Sequence, residues 1–311
     1  MQLSIVVPCF DEEENVRPFY EETKKCLAGI MDHVELIFVD DGSSDSTARE
    51  LKKLGNDAET RVRMVSFSRH FGKEAGLFAG LRAARGDYVA IIDADLQQSP
   101  AYLADMLRIL HENPQYDCVA AYQKTRRENR AMGFFKRSFY RLMNRLTDIE
   151  FFHSASDFRL LSRKMVDAVL ALPERCRFSK GIFSWVGFRT YYMPYEVEKR
   201  KRGKSKWNFW SLSSYALDGI IAFSHKPLIL ASLMGIVLFL ISIVMMLVVV
   251  IKTIAFGDPV AGFPTLCSLI LLLSGIQLLC LGIVGRYLAK MYEEVKNRPL
   301  YIVKEEYDNQ K

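Results

Sequence analysis

Two stretches near the C-terminal end constrain this chain more than anything else in it. Leu228 to Ile251 runs 24 residues without a charge, and Thr265 to Gly285 runs another 21. At about 1.5 Å of rise per helical residue, each is long enough to cross a hydrocarbon layer about 30 Å thick. A segment in lipid must satisfy its own backbone, so both are predicted to be helices. The turn between them, Lys252 to Pro264, is short, so the pair is predicted to form a hairpin. Lysine and arginine crowd its outer flanks, before the first span and then at Arg286, Lys290, Lys296 and Arg298. That bias predicts both flanks in the cytoplasm and only the short turn outside. The chain begins directly with a strand-like segment, without the pattern of a cleaved leader.

The first 210 or so residues have a different texture. Leu3–Val7, Val34–Val39, Val62–Phe67 and Tyr88–Ile92 are short apolar or β-branched runs, each followed by a turn and a helical pattern. Repeated strand–helix units predict an open, mostly parallel sheet with helices on its faces. Further helices are predicted from Asn15 to about Leu27, from near Thr47, from after Gly76 to Ala84 and from Pro100 to His111. Tyr116–Tyr122 and Thr190–Met193 read as strands, Ser154–Arg163 as the lead-in to a helix ending at Ala171, and Leu300–Val303 as a small strand in the tail. Residues 131–147 carry Phe135, Phe139, Leu142 and Leu146 on one stripe opposite Lys136, Arg137 and Arg145. That helix and the aromatic stretch 209–223 suit the lipid interface. The resulting division is a catalytic part at 1–225, the hairpin at 226–288 and a tail at 289–311.

Chemistry gathers where these strands end. Asp93-Ala94-Asp95 closes the apolar strand at Tyr88–Ile92, and Leu96-Gln97-Gln98 follows. Carboxylates at the end of a buried strand are costly unless something binds them, and paired oxygens suit a divalent cation bridging to phosphates. Asp40-Asp41-Gly42-Ser43-Ser44-Asp45 closes the second strand, where acids can meet the base and ribose of a nucleotide. Ser44 or Asp45 also suits the cap of the helix that follows, and Glu13 and Glu14 read as ordinary acids at a helix start. Asp157 follows a Ser-rich turn and reads either as a cap or as a site acid. Arg126, Arg127 and Arg130 cluster further back, and Arg175, Arg177 and Lys180 precede the strand at Thr190. The most basic run, Lys199 to Trp207, sits just ahead of the first span. With a net charge of +6 this pattern favours anionic partners, and its place beside the bilayer argues against nucleic acid. Six scattered cysteines and five unpaired histidines offer neither a disulfide framework nor a zinc site. No G-x-G-x-x-G follows the first strand, and no G-x-x-x-x-G-K-[ST] occurs.

Taken together, Pro8-Cys-Phe-Asp-Glu12, Val39-Asp-Asp-Gly-Ser-Ser-Asp45, Ser68-Arg-His-Phe-Gly-Lys-Glu74 and Asp93-Ala-Asp-Leu-Gln97 resemble a family 2 glycosyltransferase. Arg200-Lys-Arg-Gly-Lys-Ser-Lys-Trp207 and the two spans narrow the resemblance to the polyisoprenyl-phosphate glycosyltransferases, relatives of dolichol-phosphate mannose synthase and the bactoprenol glucosyltransferases. It implies a nucleotide-sugar-binding, GT-A-like α/β fold and an inverting transfer from a nucleoside-diphosphate sugar, UDP before GDP, to a polyprenyl phosphate. It assigns Pro8, Glu12, Asp40, Asp41 and Asp93 to the nucleotide, and Asp93, Asp95 and Gln97 to Mg²⁺ or Mn²⁺. It assigns Arg126, Arg200 and Ser205 to the pyrophosphate or acceptor phosphate, and Asp157 to the reaction centre as base or organiser, with Asp95 and Arg200 also catalytic. Asp11 and His70 depart from positions where the family often has asparagine. The resemblance also admits a homo-oligomer. The rivals are a processive polysaccharide synthase, opposed by having only two spans, a transferase with a soluble acceptor, and a non-enzymatic membrane scaffold of the same fold.

Overall fold

The computed structural model describes residues 2–29, 33–57, 60–123, 155–196, 221–256 and 262–310. Its elements in chain order are β1 Leu3–Cys9, α1 Val16–Cys26, β2 Val34–Asp40, α2 Thr47–Asp57, β3 Arg61–Phe67, α3 Lys73–Ala83, β4 Tyr88–Ile91, α4 Tyr102–Glu112 and β5 Cys118–Gln123. They continue with β6 Ala155–Ser162, α5 Arg163–Ala171, α6 Ser179–Trp185, β7 Thr190–Tyr195, α7 Lys226–Phe256, α8 Phe263–Lys296 and β8 Val303–Asp308.

The strands make one sheet in the order β7-β5-β6-β4-β1-β2-β3-β8. β4, β1, β2 and β3 run parallel, as helical crossovers require. β1, β2 and β4 are mostly apolar because helices cover both faces, whereas β3 alternates Arg61 and Arg63 with the buried Val62 and Met64. Ile5, Val6, Leu36, Ile37, Val89 and Ala90 are all fully buried. The parallel register pairs Cys9 with Asp40 and Val6 with Ile91, so the acid-bearing ends of β1, β2 and β4 come out along one edge.

Three sequence expectations change. Ser154–Arg163 does introduce the helix ending at Ala171, but Ala155–Ser162 within it form the antiparallel strand β6, paired with both β4 and β5. The cap lies later, at Ser162, whose Oγ accepts the Met165 N–H, so α5 starts only at Arg163. Glu13 does not serve its own helix, since α1 has no acid in its first turn. Its carboxylate instead accepts the Ser46 N–H beside the start of α2. The tail strand is Val303–Asp308, later than Leu300–Val303, and pairs antiparallel with β3. Arg61 and Arg63 both reach Asp308, and Tyr301 stacks on Phe67 with centroids 4.8 Å apart.

The hairpin helices are longer than the uncharged spans, with 31 residues in α7 and 34 in α8. Each carries a segment long and apolar enough to cross a bilayer, of which only 6 % and 0 % is buried. That excludes the core helix of a soluble protein, whose apolar face would be covered. Phe239 is 64 % exposed and Leu281 66 %. Beyond the span, α8 continues as a charged rod that joins the sheet domain. Glu294 accepts the backbone N–H groups of Arg175 and Cys176, and the Arg175 guanidinium donates to Asn297. Tyr287 donates its hydroxyl to the Ser224 carbonyl at 2.5 Å.

Candidate active site

The site is built on the common edge where β1, β2 and β4 end, joined by β6 from the other direction. β6 pairs Arg159 with Ile91 of β4. Carried two residues outward on each antiparallel strand, that register sets Asp157 opposite Asp93. Lys73, the first residue of α3, lies between them. Its Nζ is 2.7 Å from Asp157 Oδ2 and 3.0 Å from Asp93 Oδ1. Lys180 of α6 approaches the other Asp157 oxygen at 4.0 Å. Burial alone would raise the Asp157 carboxyl, but Lys73 and then Lys180 outweigh it and hold it well below the usual carboxylate range. Burial likewise works against the Lys73 ammonium, and Asp157 and Asp93 reverse this, so Lys73 stays charged far into the alkaline range.

Glu74, the next residue of α3, turns the other way. Its carboxylate accepts both the N–H and the hydroxyl of Ser179, which opens α6. Burial pushes the Glu74 carboxyl up, and the Ser179 bonds offset only part of that. Adjacent residues at the start of α3 therefore fix the two acids at the strand ends and the helix that carries Lys180. Lys73 and Lys180 were not singled out from the sequence as site residues. Lys73 stood there only inside the Ser68–Glu74 motif, and Lys180 only among the basic residues ahead of Thr190.

Asp93 is about one-third exposed at its side chain, whereas Asp95 is 9 % exposed. Asp95 Oδ1 accepts the Gln97 N–H, which closes the turn after β4. Leu96 between them takes a left-handed backbone, φ 56°, which costs a branched residue about 1–2 kcal/mol. Its side chain, 6 % exposed, is anchored in the core. Gln97 is half-buried, while the neighbouring Gln98 has a buried Oε1 without a hydrogen-bond partner. Among the described residues no three His, Cys, Asp or Glu side chains converge as a metal cluster. Two carboxylates and amide oxygens still fit Mg²⁺ or Mn²⁺. Such ions take hard oxygen donors and keep positions for water and substrate phosphates.

The acids after β2 turn inward. Asp40, 2 % exposed, accepts from Ser66 Oγ at 2.6 Å and from the Ser43 N–H at 3.1 Å. Asp41 accepts the Phe71 and Gly72 N–H groups at 2.7 and 2.9 Å, and His70 Nδ1 lies 2.9 Å away. Burial raises the Asp41 carboxyl, and the two amides and His70 offset part of the effect. Both acids thus shape the loops around the cleft. Gly42 is required here, because it has φ 66° and a Cβ would meet the Arg69 carbonyl carbon at 2.3 Å. Asp11, also at positive φ, accepts the Ser44 N–H, and Glu12 donates its N–H to Thr47 Oγ1 while its carboxylate accepts from Asn15. Pro8 is half-buried at the end of β1. The His70 ring lies over Phe10 with centroids 4.1 Å apart. Arg126, Arg200 and Ser205 lie outside the described residues, as do the helices expected at 131–147 and over most of 209–223.

A family profile described as glycosyl transferase family 2 matches residues 4–170, which hold β1 to β6 and all these acids. The chain belongs to that family. Its relatives extend the likeness across the hairpin. The SfII prophage-derived bactoprenol glucosyl transferase of Shigella flexneri is 39 % identical over 98 % of both chains. A prophage bactoprenol glucosyl transferase homolog of Escherichia coli is 37 % identical, covering 98 % of this chain and 99 % of its own. A glycosyltransferase of Synechocystis is 40 % identical over 97 % of this chain and 95 % of its own. Among solved structures, glucosyl-3-phosphoglycerate synthase of Mycobacterium tuberculosis, in complex with Mn²⁺, UDP and phosphoglyceric acid, superposes with a TM-score of 0.50 at 20 % identity. It covers 71 % of this chain and 76 % of its own, and it shows that the fold is shared.

Proposed function

We propose that this enzyme transfers a sugar from a nucleoside-diphosphate sugar to the phosphate of a membrane polyprenyl carrier, with inversion at the anomeric carbon. One observation carries the reading: a single chain joins an acidic strand-end site to a two-helix hairpin with exposed apolar faces. Near full-length likeness to bactoprenol glucosyl transferases supports it and favours UDP-glucose as donor. The hairpin keeps the prenyl chain in lipid while its phosphate reaches the site. Residues 1–225 form the catalytic part, 226–288 the hairpin and 289–311 the tail, whose β8 completes the sheet.

Asp95 and Gln97, with Asp93, are the residues that would hold Mg²⁺ or Mn²⁺. When bound, the ion supplies positive charge to the departing diphosphate. An oxygen of the acceptor phosphate forms the new bond to the anomeric carbon as the bond to the nucleoside diphosphate breaks. The acceptor is already ionised near neutral pH, so no proton need be removed. Asp157 suits that chemistry as an organiser: a carboxyl held far below its usual range is a poor base at pH 7. It keeps Lys73 and Lys180 aimed at the anions. Pro8, Glu12, Asp40, Asp41 and Asp93 border the nucleotide, Asp40 and Asp41 by shaping its loops. Arg126, Arg200 and Ser205 complete the phosphate contacts, and the bilayer is the second partner. Both termini face the cytoplasm, where nucleotide sugars are, and assembly into a homo-oligomer leaves each of these roles unchanged.

A donor panel with polyprenyl phosphate and Mg²⁺ or Mn²⁺, read by mass analysis of the lipid, tests the proposal. A metal-dependent glycosyl phosphoprenol is expected. Absence of any lipid product with every donor would refute it.

A further inference from the structure

Three basic residues, Arg175, Arg177 and Lys180, lie between β6 and β7, and the structure gives them different duties. Arg175 clasps α8 through Glu294 and Asn297. Arg177 is buried and donates to the carbonyls of Val169, Leu172 and Glu174, closing the end of α5. Lys180 alone of the three faces the site, with its ammonium 4.0 Å from Asp157 Oδ1 and its side chain 29 % exposed.

Two contacts fix where that ammonium sits. Glu74 holds the first residue of α6 from the catalytic side. From the membrane side, Phe223 presses so closely on Gly181 that a Cβ there would meet its ring at 2.3 Å. Phe223 lies three residues before Lys226, where the first hairpin helix begins. Lys180 therefore stands on a short helix wedged between the reaction centre and the start of the hairpin.

Charge balance points the same way. Leaving aside the buried Arg159, whose charge also acts on Asp157, Asp93 and Asp157 pair with Lys73 and Lys180, and Asp95 two residues beyond Asp93 leaves one negative charge in excess. A divalent ion at Asp93 and Asp95 reverses the sign. Lys73, at 2.7 Å, already neutralises Asp157. With Arg159 buried, Lys180 is then, among the described residues of this cluster, the partly exposed cation left for an incoming anion.

We infer that Lys180 binds the acceptor phosphate and sets the affinity for the lipid, an assignment that rests on the polyprenyl-phosphate reading above. Its geometry is that of a point charge with three rotatable donors, suited to a monoester phosphate arriving from the hairpin side.

The test compares wild type, Lys180→Gln and Lys180→Arg as full-length protein in detergent, with a short-chain polyprenyl phosphate and UDP-glucose. Loss of one charge-assisted hydrogen bond should raise the KM for the lipid by about 10-fold or more, with kcat changed by less than about threefold. Lys180→Arg should recover most of the affinity. The Kd for UDP with Mn²⁺, measured by calorimetry, should stay unchanged and reports that the variant is folded. A fall in kcat at unchanged lipid KM would overturn the inference and make Lys180 a positioning residue for Asp157. Weakened UDP binding would move it to the donor site. If wild type forms a lipid product and Lys180→Gln matches it, this inference alone fails. If wild type forms none, the acceptor reading fails with it.

Discussion

The sheet domain and the hairpin break the ordinary rule of burial in opposite directions. At the end of β4 charge is drawn inward, with Lys73 held between Asp93 and Asp157. Along α7 and α8 the large apolar residues face outward. Each departure would be costly in water for a self-contained protein. Each surface calls for a partner to complete it, which in the proposed reaction is anions and a cation at one end and lipid at the other. The contacts of Arg175 with Glu294 and of Tyr287 with Ser224 bind the two into one device.

The largest effect should come from removing charge at the strand end. Asp95→Asn keeps the shape of the turn but offers the cation a neutral amide. Transfer should fall by about 100-fold or more, on the scale of several kcal/mol of lost charge stabilisation. Excess chelator should do the same to wild type. Full activity in either case would separate the acids from the chemistry.

On the hairpin the same logic runs in reverse. Phe239 is 64 % exposed, and in a soluble protein Phe239→Lys would be nearly silent. In a bilayer it should cost about 3 kcal/mol of insertion, seen as loss from the membrane fraction. Unchanged membrane yield would mean that lipid does not cover this face.

A smaller effect is expected at the charged cluster itself. Lys73→Met leaves two carboxylates facing each other without their cation. With Lys73 37 % exposed at its side chain, solvent screens part of the loss, which should be about 1–3 kcal/mol in denaturant titration. Lys73→Arg should recover part of it.

How far all this was legible differs by element. β1, β2 and β4 were plain because a strand buried on both faces writes a mostly apolar run, broken here only by the buried Ser4 and Glu35 before the acids at the strand ends. β6 was not: Ser154 and Ser156 resemble a helix cap, and the true cap, Ser162, lies one strand later. The signal that could have found it is the alternation of apolar Phe158 and Leu160 with polar Asp157 and Arg159. The strand-end acids were readable as a set, but not the inward turn of Asp40 onto Ser66, which depends on the pairing of β2 with β3. The bridge from Lys73 to Asp157 spans 84 positions and follows from an antiparallel register that no local pattern encodes.

The mildest perturbation is pH. Asp157 has a folded carboxyl below its unfolded value, so its stabilisation is present above about pH 4 and is lost as pH falls through the folded value. Lys73 has the opposite sense: its contribution is full below about pH 10 and fades only above that. Stability from this cluster should therefore be flat between about pH 5 and 9 and decline on the acid side. Asp157→Asn should flatten that acid decline. A profile unaltered by the substitution would mean the pair is not formed.

The most direct measurement offers the full-length enzyme, in lipid nanodiscs with Mn²⁺ and UDP-glucose, either polyprenyl phosphate or the matching polyprenyl alcohol. The lipid products are then weighed by mass spectrometry. The account predicts one hexose added to the phosphate-bearing lipid, dependent on metal, and none to the alcohol. Equal transfer to the alcohol, or transfer only to a water-soluble acceptor, would contradict it.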